Sequence, residues 1–203
     1  MDARTHVHAR QARTEYGLTG VRHPDASGSE VMPVDSQQLM LMLDELGIAT
    51  TTVEHPPLRT VEDSRRLRGK LAGAHAKNLF LKDKKGGYWL LVALEQTRVD
   101  LRVAATLLQA PRFSFASEAD LDRLLGIVPG AVSPFAVIND TQTCVQVVFE
   151  QSVLDADLIN CHPLRNDRTT TIATVDLLRF LEQVGHPPHI IHLPEFPLSP
   201  ERD

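Results

Sequence analysis

The chain has 203 residues, 42% of them hydrophobic and 23% charged, with a formal net charge of −5. That supplies one domain with a real core, and the negative balance excludes a general nucleic-acid coat. No apolar run reaches the roughly 18 residues that a membrane helix needs, and two cysteines without C-x-x-C or metal spacing fit a reduced, cytoplasmic chain.

Residues 1–34 are rich in Arg, His, Thr, Gly and Ser and lack a sustained period, so they read as a mobile N-terminal extension. One domain is expected over 35–193, followed by a tail at 194–203. It opens with the helix "DSQQLMLMLDELGI": Asp35 and Gln38 form a capping-box pair, Leu39, Leu43 and Leu46 share a face, and Gly47 stops it. "ATTTVEH" is strand-prone and is ended by Pro56 and Pro57. Thr60 with Asp63 opens a short basic helix ending near Gly69. "KNLFLKDKKGGYWLLVAL" predicts a hairpin turning at Lys84–Gly87.

Thr97 with Asp100 is expected to cap "VDLRVAATLLQA", and "RFSFAS" to form a strand. Ser117 with Asp120 starts the helix "EADLDRLLG". "FAVIND" and "TCVQVVFE" read as two strands joined by an Asn-Asp turn. Short strands follow near 157–161 and 169–173, then the helix "TVDLLRFLEQVG". Interleaved elements with at least two hairpins exclude a purely parallel sheet and predict an α+β fold, a mixed sheet with packed helices.

Charge is unevenly placed. Between Arg59 and Lys85, nine basic residues stand against three acidic ones, which suits docking one polyanion at one face. Nucleophilic catalysis has little support: Cys161 and His162 are neighbours on a strand and point apart, and no G-x-S-x-G occurs. His186, His189 and His192 have a suggestive spacing, but two prolines preclude the helix that would align them. They read as a histidine-bearing tail, and no metal or cofactor is expected. Phosphate-loop and dinucleotide signatures are absent. Three polar clusters remain: Lys77-Asn78, the G-x-x-x-P segment Gly130–Pro134, and "NCHPLRNDRTTTI" at 160–172. A G-x-x-x-P loop can turn backbone N–H groups toward a ligand carbonyl.

In this order "HPPLRTVEDS", "AKNLFLKD", "GAVSPFAVIND" and "NCHPLRNDRTTTI" resemble the YbaK/prolyl-tRNA-synthetase-associated editing domains, nearest the free-standing branch that deacylates Ala-tRNA(Pro). The resemblance runs from about Ser36 to Leu193. It implies a single α+β domain on a mixed, partly barrel-like sheet. It also implies hydrolysis of the ester joining alanine to tRNA(Pro), an error that arises because alanine is smaller than proline.

On the same resemblance, Lys77 is the family's essential lysine at the tRNA 3′ end, and Asn78 supports it. Gly130, Ala131, Val132, Ser133 and Pro134 line the aminoacyl pocket. His162 and Asn160 belong to the N-x-H-P segment at its wall, Leu58 and Val61 gauge side-chain size, and Arg112 reaches the acceptor stem. The terminal ribose hydroxyl of the tRNA would assist the chemistry, which would explain the missing triad. Partners implied are the acceptor end of alanyl-tRNA(Pro), with prolyl-tRNA synthetase or an elongation factor as transient ones, and neither DNA nor membrane. A deacylase for serine or cysteine, a non-catalytic tRNA- or synthetase-binding module, and a small-ligand hydrolase are the alternatives.

Overall fold

Helix α1 (Ser36–Glu45) begins where the Asp35 carboxylate accepts a hydrogen bond from the Gln38 backbone N–H and the Gln38 side-chain oxygen accepts one from the Asp35 N–H. It buries Leu39 and Leu43 and stops at Gly47 (φ 65°). The computed structural model describes residues 32–57 and 71–194. The expected basic helix, Leu58, Val61 and nearly all of both terminal segments lie outside them.

Strand β1 (Thr50–Glu54) precedes Pro56–Pro57. β2 (Ala74–Asp83) and β3 (Tyr88–Leu94) form the expected hairpin, with Gly86 at φ 90° in the turn. Asp83 holds that turn by accepting from the backbone N–H groups of Lys85 and Gly87 and from the Trp89 indole. Then come α2 (Leu101–Leu107), β4 (Phe113–Phe115), α3 (Glu118–Leu125), a 3₁₀ turn (Pro134–Asn139), β5 (Val145–Glu150), α4 (Gln151–Leu154), β6 (Leu158–Cys161), β7 (Arg168–Ala173), α5 (Thr174–Gln183) and β8 (His189–Ile191).

The sheet path is β1-β7-β6-β2-β3-β5-β8, with β4 added to β2. β2/β6, β3/β5 and β5/β8 are parallel, and the other pairs are antiparallel. The sheet is therefore mixed, as expected. Alternation along β3 divides the core: Leu90 and Val92 enter the larger cluster with α1, α3, the 3₁₀ turn and α5, whereas Trp89, Leu91 and Ala93 pack with α2. Burial on both faces explains why "YWLLVAL" is continuously apolar rather than alternating. Phe135, Phe149 and Phe180 are fully buried in the larger cluster, and each such burial contributes about 1.5–3 kcal/mol.

Three expectations are corrected. "FAVIND" is not a strand: Ser133 caps a 3₁₀ turn there by accepting from the Phe135 N–H, with Pro134 in its first turn. Residues 134–138 are all buried, so their pattern carries no period to tell strand from helix. Helix α2 is capped by the Asp100 carboxylate, which accepts from the Arg102 and Val103 N–H groups, and not by Thr97.

The histidine-bearing tail is part of the sheet. β8 pairs with β5, and buried His186 faces Asp140 Oδ2 through Nε2 at 3.1 Å. Pro187 and Pro188 hid a strand only three residues long.

Candidate functional site

β2 changes partners along one edge. Glu95 N donates to His75 O and Asp83 N to Gly87 O, so odd-numbered residues turn their backbone groups toward β3. Ala116 N donates to Phe80 O, so even-numbered ones face the opposite edge. β6 takes that edge at Ala74 and His75, and β4 takes it from Leu81 to Asp83. Among the described residues, Ala76 to Leu79 have no strand partner there. Lys77 and Asn78 sit in this gap, at the divergence of two strands, where crevices in α/β sheets characteristically open.

Their side chains lie on opposite faces. Ala76 and Phe80 pack in the larger cluster, and Leu79 and Leu81 in the smaller, so alternation puts Asn78 with the former and Lys77 with the latter. Asn78 Nδ2 donates to Val132 O at 3.0 Å, which ties β2 to the G-x-x-x-P loop. Lys77 Nζ donates to the carbonyls of Glu95 (3.2 Å) and Thr97 after β3. Partial burial holds the Lys77 pKa below its ordinary value, opposed by the nearby Glu95 charge. The two residues thus do not support one another directly. Each anchors a different wall of the gap.

Gly130 is exposed at φ 88°, a backbone conformation that a side chain resists. A Cβ there would lie 3.4 Å from Asn166 Nδ2, so the G-x-x-x-P loop runs close beside the loop after β6. Ala131, Ser133 and Pro134 are buried, Ser133 as the cap already described, which leaves half-buried Val132 and exposed Gly130 nearer solvent.

The run at 160–172 is extensively cross-linked. Asn160 Nδ2 donates to Ala72 O (2.9 Å) and Ala74 O (3.3 Å), and its Oδ1 accepts from Thr171 Oγ1 (2.7 Å). Asn160 is therefore a bracket holding β6, β7 and the start of β2. Thr170 bonds Thr52 across to β1 at 2.8 Å. Arg165 pairs with Asp167 and Arg168 with Glu54, so the two arginines are partnered at the surface. Leu164 is buried at φ 64° although it is not glycine, and such a backbone is held only by tight surroundings.

His162 Nδ1 lies 2.8 Å from Arg168 O. A carbonyl only accepts, so Nδ1 carries the proton and the neutral ring keeps Nε2 as an acceptor. Burial lowers the His162 pKa, the Arg168 hydrogen bond opposes this, and the neighbouring His55 lowers it further. The ring is neutral at neutral pH.

His55, which the sequence offered only as the end of a strand, lies beside His162. Its backbone N–H donates to Asp167 O, its Nε2 lies 2.9 Å from Thr169 Oγ1, and its ring centroid is 6.3 Å from that of His162. The signal was present, since "HPPLRTVEDS" begins with it, but it read as the end of a strand. Cys161 is buried with its thiol pushed up to about 12, unfit as a nucleophile. Arg112 is exposed just before β4.

The sequence model of the aminoacyl-tRNA editing domain matches residues 55–180, beginning at His55. The Danio rerio prolyl-tRNA synthetase associated domain-containing protein 1 is 37% identical over 170 residues, covering 82% of this chain and 92% of that one. The prolyl-tRNA editing protein ProX of Acetoanaerobium sticklandii is 34% identical over 157 residues, 76% of this chain and 96% of its own. A crystal structure described as a candidate trans-editing enzyme for prolyl tRNA synthetase superposes with a TM-score of 0.61 at 20% identity, over 79% of this chain and 97% of that one, which shows a common fold.

Proposed function

The chain belongs to the aminoacyl-tRNA editing domain family, and from that premise we propose that it is a cytoplasmic trans-acting deacylase that hydrolyses mischarged Ala-tRNA(Pro). The observation that carries this reading is the gap in β2 at Ala76–Leu79, bordered by Asn78, the Gly130–Pro134 loop and the loop bearing His162. The aminoacyl ester lies on the face of Asn78 and Val132. The terminal nucleotide crosses the open edge to Lys77, whose ammonium meets phosphate or developing charge as an electrostatic anchor.

An aminoacyl ester is already activated, so an oriented water with N–H donors from the glycine loop supplies the needed rate without a protein nucleophile. His162 Nε2 is an acceptor suited to orienting a hydroxyl or that water. Size selection falls to Val132 together with Leu58 and Val61, because a pocket that admits alanine and excludes proline supplies the second sieve. Asn160 serves as a brace for this wall, and Arg112 meets the acceptor stem. tRNA(Pro) is the partner, and no cofactor is invoked.

The test is deacylation of Ala-, Pro- and Ser-tRNA(Pro) by the purified full chain and by Lys77→Ala. Release of alanine but not proline is expected, reduced about 100-fold or more by the substitution. Preferential release of serine would move the specificity. Binding of tRNA with no hydrolysis of any substrate would replace the enzyme by a binding module.

A further inference from the structure

Oδ1 of Asn78 is buried and has no hydrogen-bond partner among the described residues. The other end of the same amide is fixed. Nδ2 points at Val132 O, a group that only accepts, so flipping the amide would set oxygen against oxygen. The oxygen is therefore held in place. An atom left so costs stability, and the cost is retained where a ligand supplies the missing donor.

The surroundings indicate what kind of donor. Val132 O lies against the same amide, so the locality presents the negative ends of carbonyl dipoles. The nearest basic residue in sequence, Lys77, directs its Nζ to Glu95 O and Thr97 O on the other face. Among the described residues no hydrogen bond or ion pair brings a cation to this amide, and two neighbouring oxygens, Asn78 Oδ1 and Val132 O, favour a cationic donor over a neutral hydroxyl, because a charge-assisted hydrogen bond is roughly twice as strong.

We propose that the Asn78 carboxamide oxygen receives the α-ammonium group of the aminoacyl ester. This rests on the deacylase reading and extends it by assigning an atom. The α-ammonium is common to all aminoacyl esters, so this contact fixes the orientation of the ester and leaves size discrimination to the pocket. It also disfavours esters whose amine is acylated, as in peptidyl-tRNA, where the donor is no longer cationic. Asn78 is a positioning residue in this scheme, distinct from the lysine beside it.

The experiment compares alanyl-tRNA(Pro) with propionyl-tRNA(Pro), in which hydrogen replaces the ammonium on an acyl group of nearly the same size. Wild type, Asn78→Ala and Asn78→Asp are each assayed on both esters. Asn78→Ala removes the Nδ2 tie to Val132 O as well as the Oδ1 acceptor, so both esters slow, and kcat/KM for the alanyl ester is expected to fall about 10- to 100-fold further than that for the propionyl ester, the range of a hydrogen bond to a charged group. Denaturant unfolding of each variant is the control for folding. Asn78→Asp also loses the tie, setting a carboxylate oxygen against Val132 O, but keeps an acceptor for the ammonium, so its ratio of alanyl to propionyl kcat/KM is expected to stay above that of Asn78→Ala. Equal loss on both esters, or undiminished alanyl hydrolysis by Asn78→Ala, overturns the assignment. Wild type inactive on both esters removes the deacylase reading itself, a separately visible failure.

Discussion

The two ends of β2 treat their polar residues in opposite ways. At the C-terminal end Tyr88 donates to Asp120 at 2.5 Å, Arg123 donates to both, and Lys82 lies 3.5 Å from Asp120 and over the Tyr88 ring. Asp120 also completes the cap of α3 with Ser117. The Tyr88 hydrogen bond, first among several, holds the Asp120 carboxyl well below the usual range.

At the N-terminal end the Asn78 oxygen is unpartnered, and burial pushes both Lys77 and His162 toward their neutral forms. A closed polar cluster is what stability alone selects. Groups held away from their preferred partners or protonation states are what a ligand site requires. One strand carries both because β4 covers its edge from Leu81 to Asp83, whereas toward its start the edge is open from Ala76 to Leu79.

The comparison breaks most sharply at Asp120. Asp120→Ala removes a helix cap and the tyrosine's acceptor, and is expected to lower unfolding free energy by about 2 kcal/mol while leaving deacylation per folded molecule unchanged. Denaturant unfolding and kcat/KM, measured together, check both halves; a large loss of kcat/KM would mean that the closed end also serves the site. Gly130→Ala acts on the other end. A side chain at φ 88° beside Asn166 displaces the loop, and about a tenfold fall in kcat/KM is expected from misplacement, with a smaller change in stability.

The smallest effect is a pH signature. The His162 pKa is depressed from 6.5, so on acidification the unfolded chain takes up the proton first. Stability therefore falls as pH drops from about 6.5 to the lowered value, and this component is absent from His162→Gln. Asp120 contributes in a separate window: its stabilisation is present above 3.8 and is lost as pH falls through its depressed value. Denaturant midpoints at pH 7, 5 and 3 separate the two. Identical wild-type and His162→Gln curves down to pH 5 would contradict a ring held toward its neutral form.

What was legible in the sequence was local. The Asp35–Gln38 and Ser117–Asp120 capping boxes span three residues, and the hairpin turns on adjacent lysines and glycines, so short-range chemistry decides them. The motifs at 77–78, 130–134 and 160–172 were likewise visible as clusters, though only their resemblance to a family joined them. The opposite faces of Lys77 and Asn78 depend on burial on both sides of β2. The bracket role of Asn160 depends on pairing with residues 72–74 and 171, and partners so distant leave no local trace. β8 was lost between prolines, and His55 was masked by the strand it follows.

The pairing of β1 with β7 carries a consequence for how the protein is made. Thr50–Glu54 meets Arg168–Ala173 after more than a hundred intervening residues, and β6 lies between β7 and β2. Loop closure on that scale is slow, placing this topology among folds of high contact order. The first of the described strands to be made thus waits for one of the last. Its threonines and terminal Glu54 keep the waiting edge polar, a guard against pairing with a neighbouring nascent chain. Until β7 arrives, Thr169 has not met His55, and a partly synthesised chain holds Lys77 and Asn78 without the wall that would face them.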